Sequence, residues 1–203
     1  MSRNVPSKAS EPAKSQPKKR KIDERTRRTC ERLGMALVTL MQEQPIEKVT
    51  VQDVLDRAEV GRSTFYVHFR DKDDLLFSQL EHFCEHMSTV LDVRKEKSDR
   101  VAAVTEVFDH VGQENKLFRA LADSGHLHDF YALAEGYFTR GIEQRLKQSP
   151  RAAKLSPQEL RVRSAALAGS FLSLMRWWID TSAKQTPREM DELFHRMVWN
   201  GMR

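Results

Sequence analysis

Apolar residues recur at helical spacing through most of this chain. In residues 23–42, Leu33, Leu37, Leu40 and Met41 recur at helical spacing, and Ala36 lies on the same face of the predicted helix. The pair Gln44-Pro45 ends this helix, because a residue before proline is pushed out of the α region. The pattern therefore predicts a first amphipathic helix that stops a few residues before position 45.

Two short helices and a longer one follow. The second is predicted to begin after Thr50, which is placed to cap it, and to end near Glu59; its apolar stripe is Val51, Val54, Leu55 and Ala58. In the third, Arg62 to about Phe69, the Phe65 and Phe69 rings face inward. The Asp71-Lys72-Asp73-Asp74 run opens the fourth, with acidic residues at the positive end of its dipole. The core face of that helix is expected to be Leu76, Leu80, Phe83, Met87 and Val90.

The rest of the chain also favours helices, at about 99–111, 115–123, 126–149, 157–182 and 187–201. Their predicted N-caps include Asn115, Ser156 and Thr186, and Pro157 and Pro187 suit first helical positions. No stretch has the sustained Val/Ile/Thr alternation of a strand. The fold class expected from these patterns is all-α.

Composition indicates the cellular compartment in which the chain is expected. Cys30 and Cys84 are the two cysteines of 203 residues, which fits a reducing compartment rather than a disulfide framework. The start of the chain has no apolar secretory core, and the longest nearly apolar run, 165–175, is too short to span a bilayer. A cytoplasmic protein with no membrane partner is expected.

The excess positive charge lies in the first residues. Positions 1–21 carry seven Lys or Arg residues against Glu11, with three prolines and almost nothing apolar. Residues 1–22 are therefore expected to be a disordered basic tail. Such an arm is either simply solvated or adds contacts to phosphates.

The helix–tight turn–helix at positions two and three is a pattern that reads DNA. In this motif the second helix of the pair enters the major groove and its first turn touches base edges. Arg62 suits guanine, and Ser63 and Thr64 are small enough for close approach. The candidate phosphate contacts are Thr50, Tyr66, His68 and Lys72.

The stretch TVQDVLDRAEVGRSTFYVHFRDKDDLL, Thr50 to Leu76, resembles the TetR (tetracycline repressor) family of bacterial transcriptional regulators. The resemblance implies a DNA-binding domain at 23–74 and a helical domain at 75–203 for signal reception and dimerisation. It also implies a homodimer on double-stranded, palindromic operator DNA that a small-molecule effector releases. By the same resemblance Gln52 reaches a base. Glu59 stands where the family usually has glycine, and Gly61 stands where it usually has a Ser or Thr cap.

A weaker resemblance covers Ala166 to Met197, which is similar to the last two helices of one TetR subgroup. Small residues one helical turn apart permit close helix approach, and the final helix has a broad apolar stripe. The dimer-interface candidates are Ala165, Gly169, Ser173, Met190, Leu193, Phe194 and Met197. The alternative is that both stripes belong to the core of a single subunit.

The ligand site is less defined by the sequence. Its candidates are Phe108, Phe130, Tyr137 and Trp177, in a mostly apolar cavity between the helices at 99–149 and 157–182. His110, His126 and Arg140 would add polar contacts. The alternative is that these aromatic residues fill a packed core.

Other chemistry has little support. His82-Phe83-Cys84-Glu85-His86 has the H-x-x-E-H spacing of zinc proteases, but no further ligand is identifiable, so surface or interface histidines are the preferred interpretation. Glu192-x-x-His195 is half of a di-iron pattern without its second half. We therefore expect no metal, no cofactor and no enzymatic activity. The alternative function is a helical protein–protein interaction module controlled by a partner protein.

Overall fold

The computed structural model describes residues 24–92, 100–102, 104–113, 115–181 and 184–201. These residues form the helices α1 (Glu24–Glu43), α2 (Val51–Ala58), α3 (Arg62–His68), α4 (Lys72–Asp92), α5 (Val104–Gln113), α6 (Asn115–Asp123), α7 (Leu127–Lys147), α8 (Pro157–Asp180) and α9 (Pro187–Gly201). Short 3-10 turns lie at Ile46–Lys48 and Pro150–Ala152, and none of the described residues forms a strand. The all-α prediction is confirmed, whereas the predicted tail at 1–22 lies outside the described residues.

The first three helices share a small core. The predicted face of α1 is buried, as are Val54 and Leu55 of α2 and Phe65 of α3. Arg57 of α2 donates hydrogen bonds of 2.9 and 2.8 Å to the two carboxylate oxygens of Glu43 at the end of α1. These bonds lower the pKa of the Glu43 carboxyl, and they fix the angle between the two helices.

The helix α4 runs without a break through the predicted domain boundary at residue 74. Its buried face differs in part from the expected one, because Cys84 and Leu91 are fully buried whereas Phe83 and Val90 are only half-buried. The helix α4 packs against both α1 and α7, and two of its fully buried residues lie one position further along the chain than predicted. Burial raises the pKa of the Cys84 thiol to about 12.

The C-terminal helices pack in pairs, with α7 between α4 and α8, and α5 against α9. Phe171 of α8 forms the centre of their core, with ring centroids 5.2 Å from Phe108, 5.6 Å from Phe138 and 5.7 Å from Phe194. The helix α5 begins at Val104 rather than near residue 99. The preceding segment is held against α9 by a 2.9 Å ion pair between Arg100 and Asp191.

The helix ends largely follow the predicted capping residues. Ser156 and Thr186 precede α8 and α9, and their hydroxyls accept from the N–H of the glutamate three residues later, at 3.2 and 3.3 Å. Each glutamate carboxylate accepts in return from the N–H of the capping residue, at 2.9 and 2.7 Å. Among the described helices, none is both long and apolar enough to cross a membrane.

Candidate nucleic-acid interface

The helix α3 presents a polar edge to solvent because two phenylalanines anchor its other side. Phe65 is fully buried and Phe69, directly after the helix, is 7% exposed. The residues that these anchors leave exposed are Arg62, Ser63, Thr64, Tyr66 and Val67, and His68 is half-buried. The outward orientation predicted for the first turn and for the tyrosine is thus observed.

The turn between α2 and α3 places a glutamate in the left-handed region. Glu59 has φ 51° and ψ 48°, and its N–H bonds the Asp56 carbonyl at 3.4 Å. The Val60 N–H reaches the Leu55 carbonyl at 3.1 Å, which completes a Schellman motif with Glu59 at the position that usually holds glycine. Glu59, which replaces the usual glycine of the family, therefore adopts the left-handed conformation that this position requires.

Arg32 of α1 makes hydrogen bonds to this turn. Its Nη2 donates to the Ala58 carbonyl oxygen and, at 3.3 Å, to the Glu59 carbonyl oxygen. A cation at the carbonyl end of α2 is favoured by the helix dipole. Arg32 thereby ties the first helix to the turn that sets the direction of α3.

The two residues predicted to reach bases are joined to each other. Arg62 Nη2 donates to Gln52 Oε1 at 2.8 Å, and Gln52 Nε2 donates to Asp56 Oδ1 at 2.7 Å. These side chains are exposed, so the bonds hold them against the protein surface at a small energetic cost to break. The chain Asp56–Gln52–Arg62 aligns the guanidinium beside the start of α3 before any partner arrives.

Thr50 caps α2 through a full capping box with Asp53. The Thr50 hydroxyl donates to Asp53 Oδ2 at 2.7 Å and accepts from the Asp53 N–H at 3.1 Å. The hydrogen bonds from Thr50 lower the pKa of the Asp53 carboxyl below its ordinary value, because they stabilise the ionised form. A phosphate contact at Thr50 stays a prediction, and it would have to share the site with this carboxylate.

Lys72, a predicted phosphate contact, makes two hydrogen bonds within the subunit. Its Nζ donates to the Ile46 carbonyl at 2.6 Å and to the Val49 carbonyl at 2.9 Å. These two carbonyls, of which the Ile46 oxygen also accepts from the Val49 N–H at 3.0 Å, hold the ammonium against the segment before α2. Lys72 thus ties the start of α4 to the segment that precedes α2, and its contact with a DNA phosphate stays a prediction.

Sequence reasoning missed the arginines of α1. A groove of about 620 Å³ separates the first half of α1 from the start of α3. Its lining includes Arg25, Arg28, Arg32, Gly61 and Thr64. The sequence contains these arginines in the basic cluster ERTRRTCER. Only the packing of α1 beside α3 in the structure shows that this cluster lies next to the recognition helix.

The predicted dimer residues divide into two groups. Ala165, Ser173 and Met197 are exposed, while Gly169 and Leu193 are half-buried. Met190 and Phe194 are fully buried within the subunit, because α9 directs them toward the core around Phe171. These two residues therefore do not reach the outer face of the subunit, whereas the α8 stripe remains available to a partner.

The predicted ligand residues do not line one cavity. Phe108 is fully buried against Phe171 and Trp178, and Trp177 is 46% exposed on α8. The Tyr137 hydroxyl donates to Glu81 at 3.0 Å on the outer surface of the α4–α7 pair. These three residues thus lie at core or surface positions, and packed rings occupy the space around Phe108 where the ligand site was expected.

A cavity of about 390 Å³ lies instead between α1 and the helices α4, α5, α6 and α7. Of the predicted ligand residues, only Phe130 lines it, together with His110, which was expected to add a polar contact. His126 directly precedes α7, with its Nδ1 3.1 Å from the Ser124 hydroxyl, and Arg140 lies over the Tyr137 ring. The spacing pattern identified aromatic residues but not which of them share a cavity.

The H-x-x-E-H histidines also lie at this cavity. His82 and His86 are exposed on α4 and line its opening. Within the part of the chain that the structure describes, no group of three or more His, Cys, Asp or Glu side chains is placed to hold a metal ion. The interpretation of this motif as surface histidines therefore agrees with their positions.

Comparisons with known proteins agree on one family. A family model described as "Bacterial regulatory proteins, tetR family" matches residues 36–78, and a model described as "Transcriptional regulator C-terminal region" matches residues 101–200. A curated protein of Bacillus subtilis, described as the uncharacterized HTH-type transcriptional regulator YxbF, is 22% identical over 175 residues, which is 81% of this chain. The match spans 42% of that relative, so this chain corresponds to less than half of it.

Solved structures share the fold at low sequence identity. The dihydroxyacetone kinase operon activator DhaS has a TM-score of 0.61 and 17% identity, over 85% of this chain and 95% of its own. NalD, the secondary repressor of the MexAB-OprM multidrug efflux pump in Pseudomonas aeruginosa, has a TM-score of 0.59 and 17% identity, over 87% and 97%. Identities this low bear on the fold alone.

Proposed function

This chain belongs to the TetR family of bacterial transcriptional regulators, and from this premise we propose that it is a ligand-responsive repressor that binds a palindromic operator as a homodimer. The observation that carries the proposal is the polar edge of α3, which stands clear of the subunit on the buried anchors Phe65 and Phe69. Binding to chromosomal DNA would place the protein in the cytoplasm.

Each recognition helix would enter one major groove. Arg62 donates to guanine N7 and O6 after it leaves Gln52, while Ser63 and Thr64 approach neighbouring base edges. Tyr66 and His68 bind flanking phosphates, as do the arginines of α1 next to the start of α3. In a symmetric dimer the two α3 helices lie about 34–36 Å apart, so each half-site is read once.

The homodimer would form through the outer faces of α8 and α9. Ala165, Gly169 and Ser173 leave a stripe of small residues on α8, and a Cβ added to Gly169 would meet no atom within 4 Å. The exposed Met197 extends the apolar surface onto α9. Two copies of this face would give a four-helix interface of the kind that small residues favour.

An effector would release the DNA by favouring a subunit arrangement with the wrong half-site spacing. Binding that arrangement about a hundredfold more tightly, worth about 2.7 kcal/mol, is enough to weaken operator binding measurably. The fold does not determine whether a regulator activates or represses transcription, since DhaS is described as an activator and NalD as a repressor. A promoter fusion to the upstream region of its own gene measures that sign directly.

The DNA-binding proposal is tested with the full chain and duplexes selected from a random pool. We expect the wild type to enrich a palindrome. Arg62→Ala should weaken binding to it by about 1–3 kcal/mol and relax the preference at one position of each half-site. Arg140→Ala, which removes an exposed arginine of α7 outside the α8 and α9 faces, is the matched control and should bind like the wild type. Failure to enrich any sequence would contradict the proposal, and an unchanged preference in Arg62→Ala would contradict its base contact.

A second function is favoured by one observation, the exposed apolar surface on α3. Val67 is 76% exposed and Tyr66 is 51% exposed, so the helix could also dock a partner protein. In that case the chain would be a helical interaction module controlled by a partner. Recovery of a stable protein complex together with no binding to any duplex would favour this function over the regulator.

A further inference from the structure

The cavity between α1 and the helices α4 to α7 has an aromatic floor. Phe83, Phe118 and Phe130 surround it with ring centroids 5.8, 5.8 and 5.1 Å apart, at interplanar angles from 58° to 75°. Rings that meet edge to face offer both edges and faces to a third ring, which is the arrangement that aromatic pairs prefer. The floor therefore suits a flat aromatic body better than a branched aliphatic one.

The polar groups of the cavity are three imidazoles and one carboxamide. His82 and His86 lie at its opening on α4, His110 comes from α5 with its ring 5.4 Å from Phe83, and Gln79 completes the set. None of the described lining residues is Asp, Glu, Lys or Arg. An ammonium ligand would find no carboxylate here, whereas a carboxylate ligand could accept N–H bonds from several imidazoles at once.

The size of the cavity limits the ligand. A volume of about 390 Å³ is near the lower end of the range for small-molecule sites, about 300–1,000 Å³. The remaining walls are aliphatic, from Leu76 and Leu80 of α4, Leu117 and Leu121 of α6 and Val38 of α1. A ligand of one or two fused rings fills this volume and leaves its polar group at the histidine side.

The cavity also touches the DNA-binding part of the molecule. Val38 belongs to α1, and Gln79 lies against Gly34 of α1, where a side chain on the glycine would collide with its carboxamide. The same helix α4 is tied through Lys72 to the segment before α2. A molecule in the cavity therefore contacts both sides of the α1–α4 junction that positions the recognition helix.

We propose that this cavity is a binding site for a small aromatic acid, with His82, His86 and His110 as the partners of its carboxylate. The proposal rests on the proposed function for its regulatory meaning. The binding itself is a property of the free protein and is measured without DNA, so the failure of one is distinguishable from the failure of the other.

The test compares two probes that differ in charge, 2-naphthoate and 2-naphthylmethylamine, by isothermal titration into the full chain. We expect the acid to bind at least tenfold more tightly than the amine. The His82→Ala/His86→Ala/His110→Ala variant should lose at least tenfold in affinity for the acid, whereas His128→Ala, on an exposed histidine of α7, should keep the affinity of the wild type. Two of the three substituted histidines are exposed, and a thermal melt checks that the variant is folded.

A second variant tests the location of the binding site rather than the charge of its ligand. Leu117 is half-buried on the cavity wall, and Leu117→Trp should fill the space and abolish binding of both probes. Equal affinity for acid and amine, no binding of the acid at millimolar concentration, or full binding in a folded Leu117→Trp protein would each overturn the proposal. Binding that follows the expected pattern, without an effect on operator affinity, would keep the site and contradict the regulatory proposal instead.

Discussion

At the scale of single residues, the turn before α3 depends on Glu59, an unfavourable residue in a left-handed conformation. A Cβ in this region crowds the neighbouring carbonyl, a cost of about 1 kcal/mol that glycine avoids. Its side chain gives little in return, since the contact of Glu59 with Arg32 is 3.4 Å long and highly exposed. Nothing in the described surroundings requires the glutamate for folding.

Glu59→Gly is therefore expected to be more stable than Glu59→Ala by about 1 kcal/mol in urea unfolding. Both variants lose the same carboxylate, so their difference isolates the backbone strain at this position. If the two variants unfold at the same urea concentration with the same slope, the left-handed conformation of residue 59 is not the one described here.

Several residue assignments followed directly from the sequence, because they depend only on local periodicity. The inward Phe65, the exposed Arg62 and the cap Thr50 are of this kind. Lys72 was not predictable in the same way, since its partners are carbonyls 23 and 26 residues earlier in the chain. A lysine near a recognition helix is equally compatible with a phosphate contact and with a structural tie until the fold places those carbonyls.

At the scale of elements, the contact between α4 and α7 is set by one glycine. A Cβ on Gly141 would lie 2.6 Å from the backbone carbonyl oxygen of Ser88, an atom that cannot move without shifting α4. Gly136, one and a half turns earlier on α7, is exposed, and its Cβ would meet only Arg140 at 3.6 Å. The same helix thus carries one glycine that packing requires and one that it does not.

Gly141→Ala should destabilise the protein by about 1–3 kcal/mol, because the helices must separate to admit the methyl group. Gly136→Ala should instead stabilise it by up to about 1 kcal/mol through helix propensity. Thermal unfolding of the two variants beside the wild type gives the comparison. An equal rise in stability for both would mean that α4 and α7 do not approach as closely as described.

Helix positions were well predicted by apolar spacing, whereas the rotation of each helix was less certain. The predicted stripe on α4 included Phe83 and Val90, yet Cys84 and Leu91 are the fully buried residues. An apolar stripe in the sequence does not show which partner each residue meets, and α4 packs against both α1 and α7. For the same reason, the apolar spacing on α9 did not show that Met190 and Phe194 are buried whereas Met197 is exposed.

At the scale of the whole molecule, cavities and subunit contacts depend on how helices far apart in sequence are arranged. The cavity has walls from five helices, and only Phe130 of the predicted ligand residues reaches it. Aromatic residues that fill a core and those that surround a space have the same periodicity. The family resemblance anticipated a ligand domain, but the place of the site comes from the three-dimensional arrangement alone.

The homodimer is tested by a charge at the centre of the α8 stripe. Gly169→Glu should fold as well as the wild type, because a Cβ added at this position meets no atom of its own subunit within 4 Å. In a dimer built on this face, two copies of α8 approach closely, and each glutamate would be desolvated near its symmetry mate. Light scattering after gel filtration should give the mass of two chains for the wild type and of one chain for the variant.

Gly136→Glu is the matched control for this experiment, since it places the same side chain at an exposed glycine of α7, outside the α8 and α9 faces. It should remain a dimer at the same protein concentration. A dimeric Gly169→Glu protein would move the interface elsewhere, and a monomeric wild type would remove the basis for two recognition helices on one operator. Selection of a palindrome by the wild type depends on this interface, so Gly169→Glu should also lose the palindrome while each subunit keeps an intact α3.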